Sequence, residues 1–195
     1  MTQHVGDRRV PAGLTLLLGG ARSGKSAFAV ELGRAWPGGV TFVATAQALD
    51  DDMARRVDRH RAERPGWATV EEPNELAGTL ATIPADHLVI IDCLTLWVSN
   101  LVLADVDEAS IAERARAAAA IAAGRAAPTV AITNEVGLGI VPDNELARHY
   151  RDVLGRVNGC WAQAAARSLL LVAGRALALG DPWDVLGSTN EEEVR

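Results

Sequence analysis

The sequence predicts a single α/β domain with a mostly parallel central sheet flanked by helices, and three observations support this prediction. Short apolar runs alternate along the chain with longer segments that have the composition of helices. The first apolar run leads through a glycine-rich turn directly into such a segment. The chain has 195 residues, of which 49% are hydrophobic, so it is long enough for one domain with a substantial core. Strands that alternate with helices form parallel sheets through right-handed crossovers.

The predicted elements run from an N-terminal extension to a polar tail. Residues 1–12 form the extension, residues 13–186 the folded domain and residues 187–195 the tail, without a linker or a second domain. The β-branched, apolar residues 40–45 are typical of a strand that is buried on both faces. The predicted strands cover residues 14–18, 40–45, 88–92, 129–133 and 169–173, and the predicted helices cover residues 24–35, 51–63, 76–83, 108–123 and 144–167. Residues 67–73 form a loop or a short strand, and we expect Trp97 in the core.

Composition excludes some classes of partner. The formal net charge is −6 and no basic run is longer than a pair, which argues against nucleic acid as the main partner. No apolar stretch reaches about 18 residues, so no membrane span is expected. The N-terminus has no apolar segment of the signal-peptide type, and the two cysteines lack metal-type spacing. We therefore expect a cytoplasmic protein with reduced, buried thiols.

The residues from 19 to 26 match G-x-x-x-x-G-K-[ST], the phosphate-binding loop of nucleoside triphosphatases. The match lies between a predicted strand and a predicted helix, which is the context the motif requires, so an ordinary glycine turn is the weaker interpretation. In such a loop the backbone N–H groups point at phosphate oxygens. Lys25 would reach the β and γ phosphates, and the Ser26 hydroxyl would ligate Mg²⁺. The predicted nucleotide-binding residues of the loop are Gly19, Gly20, Ala21, Arg22, Ser23, Gly24, Lys25 and Ser26.

An acid that ends a predicted strand supports the same interpretation. Four apolar residues precede Asp92, which is the Walker-B pattern, with the acid near Mg²⁺ at the carboxyl end of the strand. Any buried strand can end in Asp, but the pattern is informative when it follows a phosphate loop. Thr45 and residues 133–135 also follow predicted strands, and ligands of parallel sheets gather at these ends. We predict that Ser26 and Asp92 ligate Mg²⁺.

Three further stretches identify a family. They are the residues 44–47 with 50–64, the residues 92–101, and the residues 133–144 with 147–152 and 155–158, of which T-N-E-V-G-L-G-I-V-P is the most specific. Here the chain closely resembles the bifunctional adenosylcobinamide kinase/adenosylcobinamide-phosphate guanylyltransferase family of cobalamin biosynthesis, from about Leu14 to Leu179. The resemblance implies a RecA-like phosphate-loop fold, often assembled as a trimer. It also implies two activities: phosphorylation of adenosylcobinamide, and transfer of GMP from GTP to adenosylcobinamide phosphate through a GMP-histidine intermediate.

The resemblance implies that His60 carries the GMP. Imidazole suits this role because it is neutral near pH 7 and leaves again easily. Judged by its residue type alone, His60 is more often a solvated histidine on a charged helix. Arg61 and Arg64 lie beside it and would neutralise triphosphate charge. Members of the family differ in whether one or two histidines stand here, so the modified position aligns with either His60 or Arg59, and His149 is the next candidate nucleophile.

The remaining candidate residues lie at other predicted strand ends. Thr45, Ala46 and Gln47 belong to the first of the family stretches and are predicted to line the nucleotide site. Two interpretations of Glu71 are equally supported: it contacts guanine or ribose, or it is a solvated loop acid. Glu135 would serve as a base or contact the ligands of Mg²⁺ rather than the ion itself, or it is a helix-capping or loop acid. The resemblance also implies that Asp92 binds the nucleotide, as an alternative to its role as a Mg²⁺ ligand.

Two other functions compete with the bifunctional enzyme. One is a monofunctional small-molecule kinase in which His60 is incidental. The other is a nucleotide-dependent switch or ATPase, which gives no role to the His60 segment or to the T-N-E-V-G-L-G stretch. The sequence leaves open whether ATP or GTP supplies the kinase step and which residues bind the corrinoid.

Overall fold

The computed structural model describes residues 9–46 and 66–188. The strands are β1 (Leu14–Leu18), β2 (Val40–Ala44), β3 (Ala68–Glu71), β4 (Leu88–Asp92), β5 (Thr129–Ile132), β6 (Arg167–Val172) and β7 (Arg175–Leu179). The helices are α1 (Lys25–Ala35), α2 (Leu76–Thr82), α3 (Leu94–Leu103), α4 (Glu108–Gly124), α5 (Glu145–Ala164) and α6 (Pro182–Ser188). None of the helices within these residues has the length and apolar character needed to cross a bilayer.

The seven strands form one sheet in the order β3-β2-β4-β5-β1-β6-β7. All neighbours pair in parallel except β6 and β7, which are antiparallel. The predicted α/β domain with a mostly parallel sheet is therefore confirmed. Because β5 lies between β1 and β4, the residues that follow β5 separate the phosphate loop after β1 from the acid that ends β4.

Helices cover both faces of the sheet and create two apolar layers. On one face, α1 packs on a cluster that includes Leu17, Phe42 and Ile90. On the other face, α2 to α5 cover a larger cluster that contains Trp97 and Trp161, which are both fully buried. The expectation that Trp97 belongs to the core is confirmed. Burial of such large side chains, at roughly 1.5–3 kcal/mol for each Leu, Ile or Phe, provides most of the stabilisation of the domain.

The pattern of apolar runs predicts most of these elements within a few residues, and residues 67–73 contain β3. The last part of the chain differs from the prediction. The strand predicted over 169–173 covers 167–172, and residues 175–179 form a further strand, β7, followed by α6. All five residues of β7 are exposed, so burial does not impose a readable pattern on this edge strand. The predicted helix over 51–63 lies outside the described residues.

Candidate active site

The phosphate loop connects β1 to α1, and its shape requires glycine at two positions. Gly19 has φ 145° and Gly24 has φ 103°, a region that side chains with a Cβ rarely adopt. A Cβ on Gly19 would also lie 2.3 Å from the carbonyl oxygen of Leu171 in β6. The glycines of the motif are therefore explained by backbone geometry and by the close approach of β6.

Lys25 begins α1 and is only 6% exposed. Its Nζ donates to the carbonyl oxygens of Gly19 and Gly20, each at 2.7 Å, and to Ser23 Oγ at 3.3 Å. Burial lowers the pKa of Lys25, and the nearby Cys93 and Asp92 oppose that shift. All three donors of the ammonium are thus used on oxygens of the loop itself, which are the partners that phosphate oxygens would replace. Lys25 is also the only lysine in the chain.

The turn between β6 and β7 supports the phosphate loop from outside. Gly174 donates its backbone N–H to the carbonyl oxygen of Ser23 at 2.9 Å. A Cβ on Gly24 would lie 3.3 Å from the Cα of Gly174, so the two backbones are almost in contact. The positive φ values of Ala173 and Gly174, 50° and 73°, reverse the chain here. The sequence motif contains no sign of this support, because the hairpin follows it by about 150 residues.

The register of the sheet places the predicted strand-end residues in one row. Glu71, Ala44 and Asp92 are successive partners across β3, β2 and β4, and Ile132 and Leu17 continue the row across β5 and β1. Asp92 is half-buried and Glu71 is exposed. The row shows that Asp92 ends two strands away from the phosphate loop, with only the end of β5 between them.

Ser26 and Asp92 supply the donor types that a magnesium ion takes. Ser26 is exposed in the first turn of α1 and offers a hydroxyl oxygen, and Asp92 offers carboxylate oxygens. Mg²⁺ prefers such hard oxygen ligands, and in phosphoryl-transfer sites it is held by one or two protein groups together with substrate phosphates. The residues present therefore fit Mg²⁺ bound with a nucleotide.

Thr45 follows β2 and is fully buried. Its hydroxyl donates to the carbonyl oxygen of Cys93 at 2.7 Å and accepts from the Cys93 N–H at 2.8 Å. The hydroxyl therefore holds the peptide that follows Asp92, beside the half-buried Ala46. Burial, followed by the charge of Asp92, raises the pKa of the Cys93 thiol to about 11, so this thiol stays neutral near pH 7.

Helix α3 links the segments around β2 and β3. Asn100 donates its side-chain amide to the carbonyl oxygens of Thr45 at 2.9 Å and Pro73 at 3.0 Å. Trp97 donates its indole N–H to the carbonyl oxygen of Asn74 at 2.9 Å. These bonds connect α3 to the residue that follows β2 and to the segment that follows β3. Asn100 lies in one of the family stretches, but its residue type alone does not predict this role.

The end of β5 is held by side chains from two helices. Thr133 donates its hydroxyl to Asn158 Oδ1 at 2.7 Å, and Asn158 Nδ2 donates to the carbonyl oxygen of Asn134 at 3.0 Å. Asn134 donates its N–H to Thr95 Oγ1 at 2.7 Å. Tyr150 donates its hydroxyl to the carbonyl oxygen of Thr95 at 3.1 Å, and burial raises the pKa of this phenol to about 12. The network lies beside the phosphate loop, and no sequence motif predicts its hydrogen bonds.

After β5 the chain forms a loop with an apolar surface. The backbone N–H of Glu135 donates to the carbonyl oxygen of Gly19 at 3.4 Å, so the loop starts at the phosphate loop. The Glu135 carboxylate accepts from the N–H of Gly137 at 2.6 Å. Leu138 and Ile140 are 85% and 98% exposed. An exposed apolar surface therefore begins next to the predicted phosphate site.

The structure brings together only part of the predicted site. The loop residues 19–26, Thr45, Ala46, Glu71 and Asp92 all lie at the carboxyl edge of the sheet. Gln47, His60, Arg61 and Arg64 lie outside the described residues. His149, the alternative nucleophile, lies on α5 with its Nδ1 3.4 Å from Glu108 Oε1.

The phosphate loop contains a buried lysine, and Asp92 ends β4, which only β5 separates from β1 in the sheet. These two features define a phosphate-loop nucleotide-binding protein. A family model described as cobinamide kinase / cobinamide phosphate guanyltransferase matches residues 15–179. The chain belongs to this family.

Relatives support this assignment. The bifunctional adenosylcobalamin biosynthesis protein CobP of Pseudomonas aeruginosa is 42% identical over 172 residues, which are 86% of this chain and 98% of that protein. The bifunctional adenosylcobalamin biosynthesis protein CobU of Escherichia coli K12 is 42% identical over 175 residues, which are 83% and 96% of the two chains.

The fold is also similar to that of a solved structure. The ATP synthase subunit NeqB of Nanoarcheaum equitans matches with a TM-score of 0.51 over 93% of this chain and 48% of that chain. At 10% identity, this likeness concerns the fold alone.

Proposed function

We propose that this protein phosphorylates adenosylcobinamide with ATP or GTP and then transfers GMP from GTP to adenosylcobinamide phosphate. The observation that carries the proposal is the phosphate loop with its buried, hydrogen-bonded Lys25, in a chain of the cobinamide kinase/guanyltransferase family. The two relatives named above are called bifunctional, and they match nearly over their full lengths.

In the kinase step, the acceptor hydroxyl oxygen forms a bond to the γ-phosphorus. The bond from that phosphorus to the β–γ bridging oxygen breaks, and the nucleoside diphosphate leaves with the electron pair. The hydroxyl proton passes to a base or to solvent. Lys25 and the backbone N–H groups of the loop balance the negative charge on the phosphates. When bound, Mg²⁺ held by Ser26 and Asp92 would add positive charge at the same phosphates.

In the guanylyl step, a nitrogen of the His60 imidazole bonds to the α-phosphorus of GTP and pyrophosphate leaves. The phosphate of the corrinoid then attacks the same phosphorus, and the nitrogen–phosphorus bond breaks. Arg61 and Arg64 neutralise the triphosphate, as the spacing around His60 predicts. Thr45, Ala46, Gln47 and Glu71 are proposed to line the guanosine site. Support comes from the register of the sheet, in which Ala44 pairs with Glu71 on one side and with Asp92 on the other.

The same proposal includes assembly and location. We expect a homo-oligomer, a trimer by family resemblance, that works in the cytoplasm without nucleic acid. Exposed apolar side chains on the β7–α6 region support self-association, because Leu177 and Leu186 are 63% and 62% exposed and Trp183 is 81% exposed.

Labelling with GTP carrying label at the α-phosphate tests the proposal. The protein is incubated with Mg²⁺ and labelled GTP and then denatured, and protein-bound label is measured. We expect label that is acid-labile and alkali-stable, that is absent in His60→Ala and that is retained in His149→Ala. Label that is lost only in His149→Ala would move the nucleophile to α5. Phosphorylation of cobinamide without any protein-bound label would leave a kinase alone.

A further inference from the structure

The end of β5 lies between the phosphate loop and Asp92, next to the place where we expect the terminal phosphate of a bound nucleotide. β5 pairs with β1, which leads into the phosphate loop, and with β4, which ends in Asp92. A nucleotide on the loop directs its terminal phosphate away from the base, toward the metal ligands. The residues that follow β5 therefore lie between the lysine of the loop and the acid.

Both backbone polar groups of Asn134 form hydrogen bonds to buried side chains. Its N–H donates to Thr95 and its carbonyl oxygen accepts from Asn158, and these two side chains are only 8% and 5% exposed. Asn158 is itself held through its Oδ1 by Thr133. Two helices thus determine where the Cα of Asn134 lies, independently of the Asn134 side chain.

The side chain of Asn134 remains available for a ligand. Within the described residues, the only hydrogen bonds of Asn134 involve its backbone, and its half-buried amide has none. Thr133 points toward α5, because it bonds to Asn158. β5 ends at Ile132, but the N–H groups of Thr133 and Glu135 still donate to carbonyl oxygens of the β1 segment, so the chain continues as an extended strand there. Alternation along such a segment places Asn134 on the side opposite to Thr133, where Val130 and Ile132 pack with Ala29 of α1. Helix α1 begins at Lys25 on this side of the sheet.

We propose that the side-chain amide of Asn134 donates a hydrogen bond to the terminal phosphate of the bound nucleoside triphosphate. The amide is neutral and offers two N–H donors, so it suits an oxyanion and cannot act as the base. In the kinase step it stabilises charge on the equatorial oxygens of the transferred phosphoryl group. The inference rests on the proposed use of the phosphate loop as the nucleotide site, but it does not depend on the identity of the acceptor.

Nucleotide binding by Asn134→Ala and Asn134→Asp tests this inference. Affinities are measured for the non-hydrolysable triphosphate analogues of ATP and GTP and for ADP and GDP, in the presence of Mg²⁺. We expect Asn134→Ala to weaken triphosphate binding by roughly tenfold to hundredfold, the range for a hydrogen bond to a charged group, without weakening diphosphate binding. Asn134→Asp should weaken it further, because its charge repels the phosphate.

Asn144→Ala is the matched control, since Asn144 caps α5 through its side chain and lies in the same connection. It should lower the unfolding midpoint and leave the ratio of triphosphate to diphosphate affinity unchanged. Equal losses for both nucleotides in the Asn134 variants, or no loss, would overturn the inference, as would the absence of nucleotide binding by the unmodified protein.

Kinase assays with cobinamide separate this inference from the proposed function. If the unmodified protein discriminates triphosphate from diphosphate through Asn134 but does not phosphorylate cobinamide, the inference stands and the acceptor assignment fails. If it phosphorylates cobinamide and Asn134→Ala keeps its full kcat and its full triphosphate affinity, the acceptor assignment stands and the inference fails.

Discussion

The phosphate loop and the end of β5 meet at the same edge of the sheet, but the chain forms them in different ways. The loop is made from eight consecutive residues, and Lys25 bonds to oxygens no more than six positions away. The end of β5 is held by Thr95 and Asn158, which lie 39 and 24 positions from Asn134. The shape of the phosphate loop therefore depends mainly on local backbone geometry, whereas the end of β5 depends on side chains from distant helices. Different substitutions should disrupt the two regions.

The largest effect is expected for Lys25→Ala. Loss of the ammonium should reduce both phosphorylation and guanylyl transfer by roughly 10³-fold or more, because no other lysine is present to replace the charge. The unfolding midpoint should change little, since the desolvation that lowers the pKa of Lys25 is itself a cost of burial. Assays of both reactions with thermal unfolding check this. Arg116→Ala, an exposed cation on α4, should keep both activities.

If guanylyl transfer survives in Lys25→Ala while phosphorylation is lost, the two reactions do not share the phosphate loop. That result would divide the site into two nucleotide sites. The phosphate loop would then serve only one of the two reactions.

Gly19→Ala should show that backbone geometry determines the loop. The added Cβ would lie 2.3 Å from the carbonyl oxygen of Leu171 at a φ of 145°, so we expect a loss of about 2–4 kcal/mol in the free energy of unfolding. Gly20→Ala is the matched control, because a Cβ there meets nothing within 4 Å. Denaturant unfolding of both variants checks the difference. Equal stability of the two would mean that β6 does not constrain the loop.

Asn158→Ala should reduce stability by less than Gly19→Ala does, because it removes side-chain hydrogen bonds without straining the backbone. The Thr133 hydroxyl would lose its acceptor and the Asn134 carbonyl its donor, which we expect to cost about 2–3 kcal/mol in the free energy of unfolding. Asn144→Ala removes only a helix cap and should cost about 1 kcal/mol. Denaturant unfolding with a kinase assay separates them. Only Asn158→Ala should also lower kcat, because it releases the end of β5.

The same contrast explains how much of the molecule the sequence predicts. The parallel sheet, α1 and the loop are predictable because the motif is contiguous and the strands are continuous apolar runs. The network of Thr95, Asn134 and Asn158 is not predictable, because its members are ordinary polar residues until the fold brings them together. β7 is missed because its five exposed residues carry no burial pattern. The role of His60, which lies outside the described residues, stays a prediction.

The smallest expected effect is a shift in the pH dependence of lysine acylation. Lys25 is the only lysine, so an amine-selective reagent followed by peptide mass spectrometry reports on this residue without interference from another side-chain amine. Burial lowers the pKa of Lys25, so the neutral amine should appear at lower pH in the folded protein than in the denatured chain. A nucleotide with Mg²⁺ should reverse the shift and slow acylation severalfold, because phosphate oxygens favour the ammonium over the neutral amine. A folded-state midpoint at or above the denatured one would show that the loop carbonyl oxygens, rather than burial, control this lysine. In that case hydrogen bonds to the carbonyl oxygens of Gly19 and Gly20 would favour the ammonium by more than burial disfavours it.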